Sequence, residues 1–397
     1  MKKIGIICEY NPFHSGHAYQ IAKIRERDAD AAIVCLMSGH ATQRGELAIA
    51  DKYTRAAMAL SGGADIILEL PYPYSSASAP YFAGAGVAIL DALGVDELSF
   101  GSETADLTLL EKTAEIMEKE QFYTDVSTRQ RAGEGSAQAY FSELQQHLPD
   151  TEIHLLSNDI LAVEYIRAIR ALKSSMRPMP IFREGSAYRA QSLENGKNPS
   201  ATALRKKLIN GDVNESLKYV PKYSAEVLKK AIKSDLAPIQ TDFLDAAILC
   251  FFRLTPSEGL AMIAEMQGGL AYRLCAAARE SISYADMLAK ASAKSYPTAR
   301  LRRAVLFAMT GVRESDLRTA PVYLSLLGAN ERGRKLLRVW KEAAPFPISA
   351  KFADAAAVSP AATRQAELTL ALDSIFTLAH PTPCSADYWI KKHPILL

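Results

Sequence analysis

Apolar and polar positions alternate on two scales along this chain. Short strand-like runs, most of them largely apolar, occur at Lys3–Cys8, Ala31–Met37, Asp65–Leu70 and Asp96–Phe100. Runs of that length, rich in Ile, Val and Leu, predict strands buried on both faces. Between them, Ala18–Arg27, Ile49–Leu60 and Ala83–Leu93 repeat apolar residues at helical spacing. Strand and helix in alternation predict right-handed βαβ units around a parallel sheet. Ligands of such sheets bind beyond the carboxyl ends of the strands. Attention therefore falls on Glu9-Tyr10-Asn11, Ser38-Gly39-His40, Pro71-Tyr72 and Gly101-Ser102.

Beyond Glu103 the pattern is helical to about Leu148, with a polar break at Arg131–Gly135 that reads as a mobile loop. Ser157-Asn158-Asp159 opens a helix running to about Leu172, Pro178–Phe182 reads as a fifth strand, and Arg183–Asn198 as a loop. Ser200 opens a helix over Ala201–Ile209 that Asn210-Gly211 ends. From about Ser224 strand signals fade, and seven helical segments follow between Ala225 and Leu378. The expected architecture is α/β: a Rossmann-like parallel-sheet domain over 1–223, then an all-helical domain over 224–397.

Composition narrows the class without naming a chemistry. Of 397 residues 49% are apolar and 23% charged, enough for a large core. A net charge of +2 does not by itself call for nucleic acid, so any basic surface is local. Five scattered cysteines without a Cys-x-x-Cys pair fit a reducing cytoplasm. The first apolar run is cut by Glu9, too short for a signal peptide, and no stretch is long enough to span a membrane.

Candidate chemistry gathers after the first strand, in Glu9-Tyr10-Asn11-Pro12-Phe13-His14-Ser15-Gly16-His17. A strand, a proline turn and His-x-Gly-His at a helix start make an anion site: backbone N–H groups and the positive helix end face the ligand. On this reading Gly16 lets a phosphate approach the backbone. Two imidazoles three residues apart can share one side of the first turn and stabilise charge growing on phosphoryl oxygens. A zinc pair and two structural histidines remain as alternatives. The segment resembles the nucleotidyltransferase superfamily that carries this signature, whose members bind ATP and pass AMP to an acceptor, releasing pyrophosphate. The superfamily's second motif, Ile-Ser-Ser-Thr-x-x-Arg, is matched by Ser200, Thr202 and Arg205, with Pro199 and Ala201 departing from it.

The whole order resembles one family, the bacterial tRNA(Met) cytidine acetate ligases. The likeness rests on Ile6–His17, Met37-Ser38-Gly39, Gln43-Arg44-Gly45-Glu46, Asp51–Arg55, Gly63–Pro71, Leu98–Glu103, Ser157–Leu161 and Arg183-Glu184-Gly185. It covers the N-terminal part densely and the helical part more loosely. The resemblance implies ATP binding by Ile7, Cys8, Glu9, Tyr10, Asn11, Pro12, Phe13, His14, Ser15, Gly16, His17, Ala18, Tyr19 and Gln20, and by Gly101, Asn158 and Arg183, with His14 and His17 catalytic. Ser200, Thr202 and Arg205 would hold the polyphosphate. His40 stands where the family has asparagine and reads as a third polar group or tolerated surface; Asp51, Lys52 and Arg55 read as a solvated helix start.

The expected activity has two halves. Acetate attacks the α-phosphate of ATP to give acetyl-adenylate, and the acetyl group then passes to N4 of the wobble cytidine of elongator tRNA(Met). Lys294, Tyr296, Arg300, Arg302 and Arg303, at the entrance of a helix, are the sharpest signal for tRNA binding. Glu331–Lys335 with Arg338 make a second basic cluster. Mg²⁺ is expected with ATP, although no dedicated carboxylate cluster or other metal site is evident; no membrane or obligatory protein partner is implied. A small-molecule adenylyltransferase and a non-catalytic RNA-binding protein are the competing readings.

Overall fold

The computed structural model describes residues 1–148, 156–183 and 201–397. Its centre is an eight-stranded sheet of β1 (Lys3–Cys8), β2 (Ala32–Ser38), β3 (Ile66–Leu70), β4 (Glu97–Ser102), β5 (Arg177–Phe182), β6 (Leu324–Ala329), β7 (Ile348–Ser349) and β8 (Ile395–Leu396). The order is β5-β4-β1-β2-β3-β6-β7, with β8 also on β6. Strands β1 to β5 are mutually parallel. Every side chain of β2 and β3 is buried, and apart from Ser38 and Glu69 these segments are apolar.

The crossovers are α1 (Ser15–Arg27), α2 (Lys52–Ser61) and α3 (Ala79–Ala92). Asp51 starts α2 three residues later than its apolar spacing suggests, its carboxylate accepting the N–H groups of Tyr53 and Thr54 at 2.9 and 2.8 Å. After β4 come α4 (Leu107–Met117), α5 (Glu120–Arg131), α6 (Ser136–His147) and α7 (Ser157–Ala171), then β5 and α8 (Ala201–Ile209). Because β2 and β3 build outward on one side of β1 and β4 and β5 on the other, the order reverses between β1 and β4. A crevice opens at that reversal, where ligands of doubly wound sheets lie.

The C-terminal part is mainly helical around Phe252, Leu270, Leu274, Leu301 and Phe376, as the pattern suggests. Three short strands depart from the all-helical expectation: β6, where Leu324, Leu326, Leu327 and Ala329 are apolar, pairs antiparallel with β3, and β7 and β8 both pair with β6. A run that short is ambiguous by periodicity, and the open edge of β3 decides it. Residues from both halves form a joint core: Ala41 and Tyr72 pack with Phe307, Val312, Leu368 and Leu372. The Tyr72 hydroxyl meets Thr310 Oγ1 at 2.6 Å. No helix among the described residues is long and apolar enough to cross a membrane.

Candidate nucleotide site

The turn from β1 into α1 builds the site. His14 is the N-cap of α1, and its Nδ1 accepts the Gly16 N–H at 3.0 Å. His17 Nδ1 accepts the His14 N–H at 3.3 Å, so the two imidazoles form a reciprocal capping box. A ring nitrogen that accepts carries no proton, which places the proton of each ring on Nε2. The rings lie 3.9 Å apart between centroids, inclined by 31°, and both line a cavity of about 940 Å³. Burial, helped by the Arg183 and Arg205 cations, pushes His14 down to about 3. Burial, with His14 and Arg183, holds His17 well below the usual imidazole range. Both are neutral Nε2–H donors at physiological pH.

Two expectations change here. The first-turn N–H groups are not free for an anion: Ser15 N donates to Tyr219 O at 3.1 Å, Gly16 N to His14, and His17 N to His14 O at 2.9 Å. The imidazoles stand where backbone donors were expected. Gly16 is small for the same reason, since a Cβ there would meet His14 Cε1 at 2.9 Å. The missing side chain makes room for the capping ring.

Of the residues assigned to ATP, Ile7, Cys8, Glu9, Tyr10, Asn11, His14, His17 and Gln20 line the cavity, as do Gly101, Asn158, Arg183, Thr202 and Arg205. Pro12, Phe13, Ser15, Gly16, Ala18 and Tyr19 do not. Phe13 is fully buried, 5.0 Å from the Tyr10 ring, and supports the turn from beneath. Tyr10 turns its ring inward too, its hydroxyl 3.4 Å from Cys35 Sγ and its edge under His17. Ser200 lies outside the described residues. At the far end Arg183 lies over Gly101, where a Cβ would meet its Cδ at 3.0 Å, and donates to Asn158 Oδ1 at 3.3 Å. At the near end Arg205 donates to Asn11 O at 3.0 Å, to Glu46 Oε2 at 3.2 Å and to Thr202 Oγ1 at 3.2 Å. Asn11 Oδ1 accepts the Ile49 N–H at 2.7 Å, and its buried Nδ2 is without a partner among the described residues. That orphan donor on the cavity wall suits a phosphate oxygen.

The residue reading left Gln43, Arg44 and Glu46 without a role, although the Gln-Arg-Gly-Glu run after Gly39-His40 marks a loop at a strand end. All three line the cavity. The loop closes on itself through Thr42 N to Glu46 O at 2.9 Å. Gly45, at φ +73°, presses on the C-terminal helix Thr298–Thr310, where a Cβ would meet Arg303 N at 2.5 Å.

His40 is neither a ligand group nor surface. It is fully buried, stacks on Phe376 at 4.0 Å and meets Asp373 Oδ1 through Nδ1 at 2.6 Å. Lys52 is likewise no solvated residue: its Nζ lies 3.0 Å from both Glu69 oxygens and 3.3 Å from Asp373 Oδ2. Burial opposes the Lys52 charge, but Asp373 and Glu69 outweigh it and raise its proton affinity. Arg55, fully buried, donates to the carbonyls of Glu9 at 2.6 Å, Ser38 at 3.1 Å and Ala50 at 2.9 Å, and to that of Gly39. It gathers the ends of β1 and β2 under the site.

The basic helix entrance is mostly self-satisfied. Arg303 is buried and grips Glu265 with both edges, Nε at 2.5 Å and Nη2 at 3.0 Å, so it is not open to an RNA phosphate. Arg302 donates to Glu46. Arg300 lies 5.2 Å over the Tyr296 ring, whose hydroxyl donates to Gly268 O. Lys294 is exposed. The second cluster is at the wrong end of the sheet: Arg332 donates to Ala31 O, just before β2 begins, at 3.1 Å. No group of three or more His, Cys, Asp or Glu side chains among the described residues is placed to hold a metal ion.

Comparison with known proteins places this geometry. The model of the HIGH nucleotidyl transferase family matches residues 1–388. The tRNA(Met) cytidine acetate ligase of Syntrophotalea carbinolica is 36% identical over 359 residues, 88% of this chain and 84% of that protein. The one from Caldanaerobacter subterraneus subsp. tengcongensis is 32% identical over 409 residues, the full length of both. The crystal structure of Thermotoga maritima TmcAL bound with alpha-thio ATP superposes with a TM-score of 0.90 at 29% identity, covering 100% of both chains.

Proposed function

Because the chain belongs to the HIGH nucleotidyl transferase family and, within it, to the tRNA(Met) cytidine acetate ligases, we infer that it joins acetate to a cytidine of methionine tRNA at the expense of ATP. The reaction runs through acetyl-adenylate, and the acceptor is N4 of the wobble cytidine of the elongator tRNA. The observation that carries the first half is the reciprocal cap of His14 and His17, which fixes two neutral Nε2–H donors side by side on the cavity wall.

ATP lies across the β1/β4 crevice, with adenosine toward Gly101, Asn158 and Arg183 and the phosphates toward His14, His17, Thr202 and Arg205. Acetate is already ionised at neutral pH, so its attack on the α-phosphate needs no base. The site supplies positioning and donors for the charge that develops on the phosphoryl oxygens. Arg205 leaves Glu46 for the β- and γ-phosphates, and Asn11 Nδ2 gains the acceptor it lacks. The described residues offer no metal site of their own. Mg²⁺ would enter with the triphosphate, held chiefly by phosphate oxygens and water.

In the second half Lys294, Tyr296, Arg300 and Arg302 face the tRNA from the helix entrance. With ATP and tRNA as its substrates, the protein is proposed to work in the cytoplasm. The test is incubation with ATP, Mg²⁺, radiolabelled acetate and unmodified elongator methionine tRNA, followed by digestion of the RNA. Labelled N4-acetylcytidine is the expected product. Pyrophosphate release without label in RNA would move the assignment to a small-molecule adenylyltransferase.

A further inference from the structure

Three glutamates line a cavity whose ligands, ATP and acetate, are anions. Two are already committed. Glu46 receives Arg205 on one oxygen and Arg302 on the other. Glu103 receives Asn158 Nδ2 on one oxygen and the Asp159 N–H at 3.1 Å on the other, at the adenosine end. Glu9 differs from both. Its Oε1 accepts the Gln43 N–H at 2.8 Å, and its Oε2 has no partner among the described residues. A carboxylate oxygen left open on the wall of an anion site can accept an N–H that the second substrate brings.

The position of Glu9 says which donor. It stands at the carboxyl end of β1, five residues before His14. Gln43, the donor to its side chain, belongs to the loop whose Gly45 presses on the backbone of Arg302 and Arg303. Glu9 therefore joins the wall of the nucleotide cavity to the loop that packs on the basic helix. A base presented from the basic helix would reach the adenylate past this carboxylate.

Resting on the reading above, we propose that Glu9 is the general base of the acetyl transfer, accepting through Oε2 the proton of the attacking cytidine amine. The N4 lone pair forms the bond to the acetyl carbonyl carbon. The bond from that carbon to the phosphate oxygen of the adenylate breaks, and AMP leaves with the electron pair. The nitrogen loses one proton to Glu9, which returns it to water once AMP has gone. The cytosine amine is delocalised into its ring and becomes acidic only as it attacks, so a base at that moment is worth on the order of 10²–10⁴ in rate. The surroundings suit the task. Burial raises the proton affinity of Glu9; the Gln43 N–H, Arg205 and Arg44 lower it; Glu46 raises it again. Tyr165, from α7, faces the same carboxyl.

The test starts from supplied acetyl-adenylate, so that adenylate formation is not part of the readout. Single-turnover transfer to unmodified elongator methionine tRNA is followed from pH 5 to pH 9. The wild-type rate is expected to rise with pH as one carboxyl ionises, then level off. Glu9→Gln keeps the oxygen that accepts from Gln43, and is expected to lose the rise and run on the order of 10²–10³ slower. Glu9→Ala is expected to recover rate on addition of formate, which a merely structural defect would not. A Glu9→Gln enzyme with the wild-type pH rise and rate, or a Glu9→Ala enzyme indifferent to formate, would overturn the proposal. Absence of transfer in the wild type would instead sink the tRNA acceptor reading, and this inference with it.

Discussion

The imidazole of His17 accepts the backbone N–H of His14 at 3.3 Å, while the imidazole of His14 accepts the N–H of Gly16 two residues on at 3.0 Å. Each ring thus does two things at once. One nitrogen closes the end of α1, and that bond fixes the proton on the other nitrogen, where the cavity is. The spacing of the motif follows from this arrangement: capping needs the first histidine at the N-cap and the second three residues on, and His14 needs a residue without a Cβ between them.

Replacing His14 by Ala removes one donor from the developing charge. Acetate-dependent exchange of pyrophosphate into ATP, measured without tRNA, is expected to fall on the order of 10²–10³-fold. Loss of the cap itself costs about 1 kcal/mol in urea unfolding. Binding of tRNA in the absence of ATP should stay within a few-fold of wild type.

Stability should fall on acidification in a window set by the same residue. The folded His14 has its pKa lowered to about 3, whereas an unfolded histidine titrates near 6.5. Below about pH 6.5 the unfolded chain therefore binds a proton that the fold refuses, and stability is lost as pH falls toward 3. Between pH 7 and pH 5 this one group is worth about 2 kcal/mol. His14→Asn keeps a capping acceptor but does not titrate, so its urea midpoint should drop less over that interval than the wild-type midpoint does.

Lys52 Nζ lies between Glu69 and Asp373, all three buried. Lys52→Met leaves Glu69 without that cation and Asp373 with only the His40 ring, and should destabilise the protein by about 3–5 kcal/mol in urea unfolding. Adding Glu69→Gln to that variant should recover part of the loss, because one stranded charge is removed. If the single variant is as stable as wild type, Lys52 is solvated after all.

The arginines of the helix Thr298–Thr310 should separate into two kinds. Arg300→Ala should weaken tRNA binding and reduce the salt dependence of log K by roughly one phosphate contact. Arg303→Ala leaves Glu265 only the Arg300 Nε at 3.9 Å and should cost on the order of 2–3 kcal/mol of stability. Titrations of tRNA binding against salt, set beside urea melts of both variants, distinguish a cation that meets RNA from one that holds the fold.

Much of the architecture was legible because it is local. The parallel strands announce themselves as apolar runs, since both faces of β2 and β3 are covered. The strand, turn and helix around His14 and His17 can be read from a dozen consecutive residues. Strand β6 is not legible because a short, Leu-rich segment between helices looks the same in a buried strand or a helix segment. Gln43 and Glu46 were legible as a motif but not as site residues, since their roles depend on Glu9, Arg205 and Arg302.

The sequence by itself determined the βαβ order, the histidine pair at the head of α1 and the family to which the chain belongs, because each is written in contiguous residues with a fixed spacing. Tertiary structure alone decided which charges are surface and which are core. His40 meets Asp373 across 333 positions, and Lys52 meets the same carboxylate across 321. No local pattern separates such a lysine or histidine from a solvated one. A charge enters the interior only where distant segments bring it a partner and hydrogen bonds, and that condition is met by the fold as a whole.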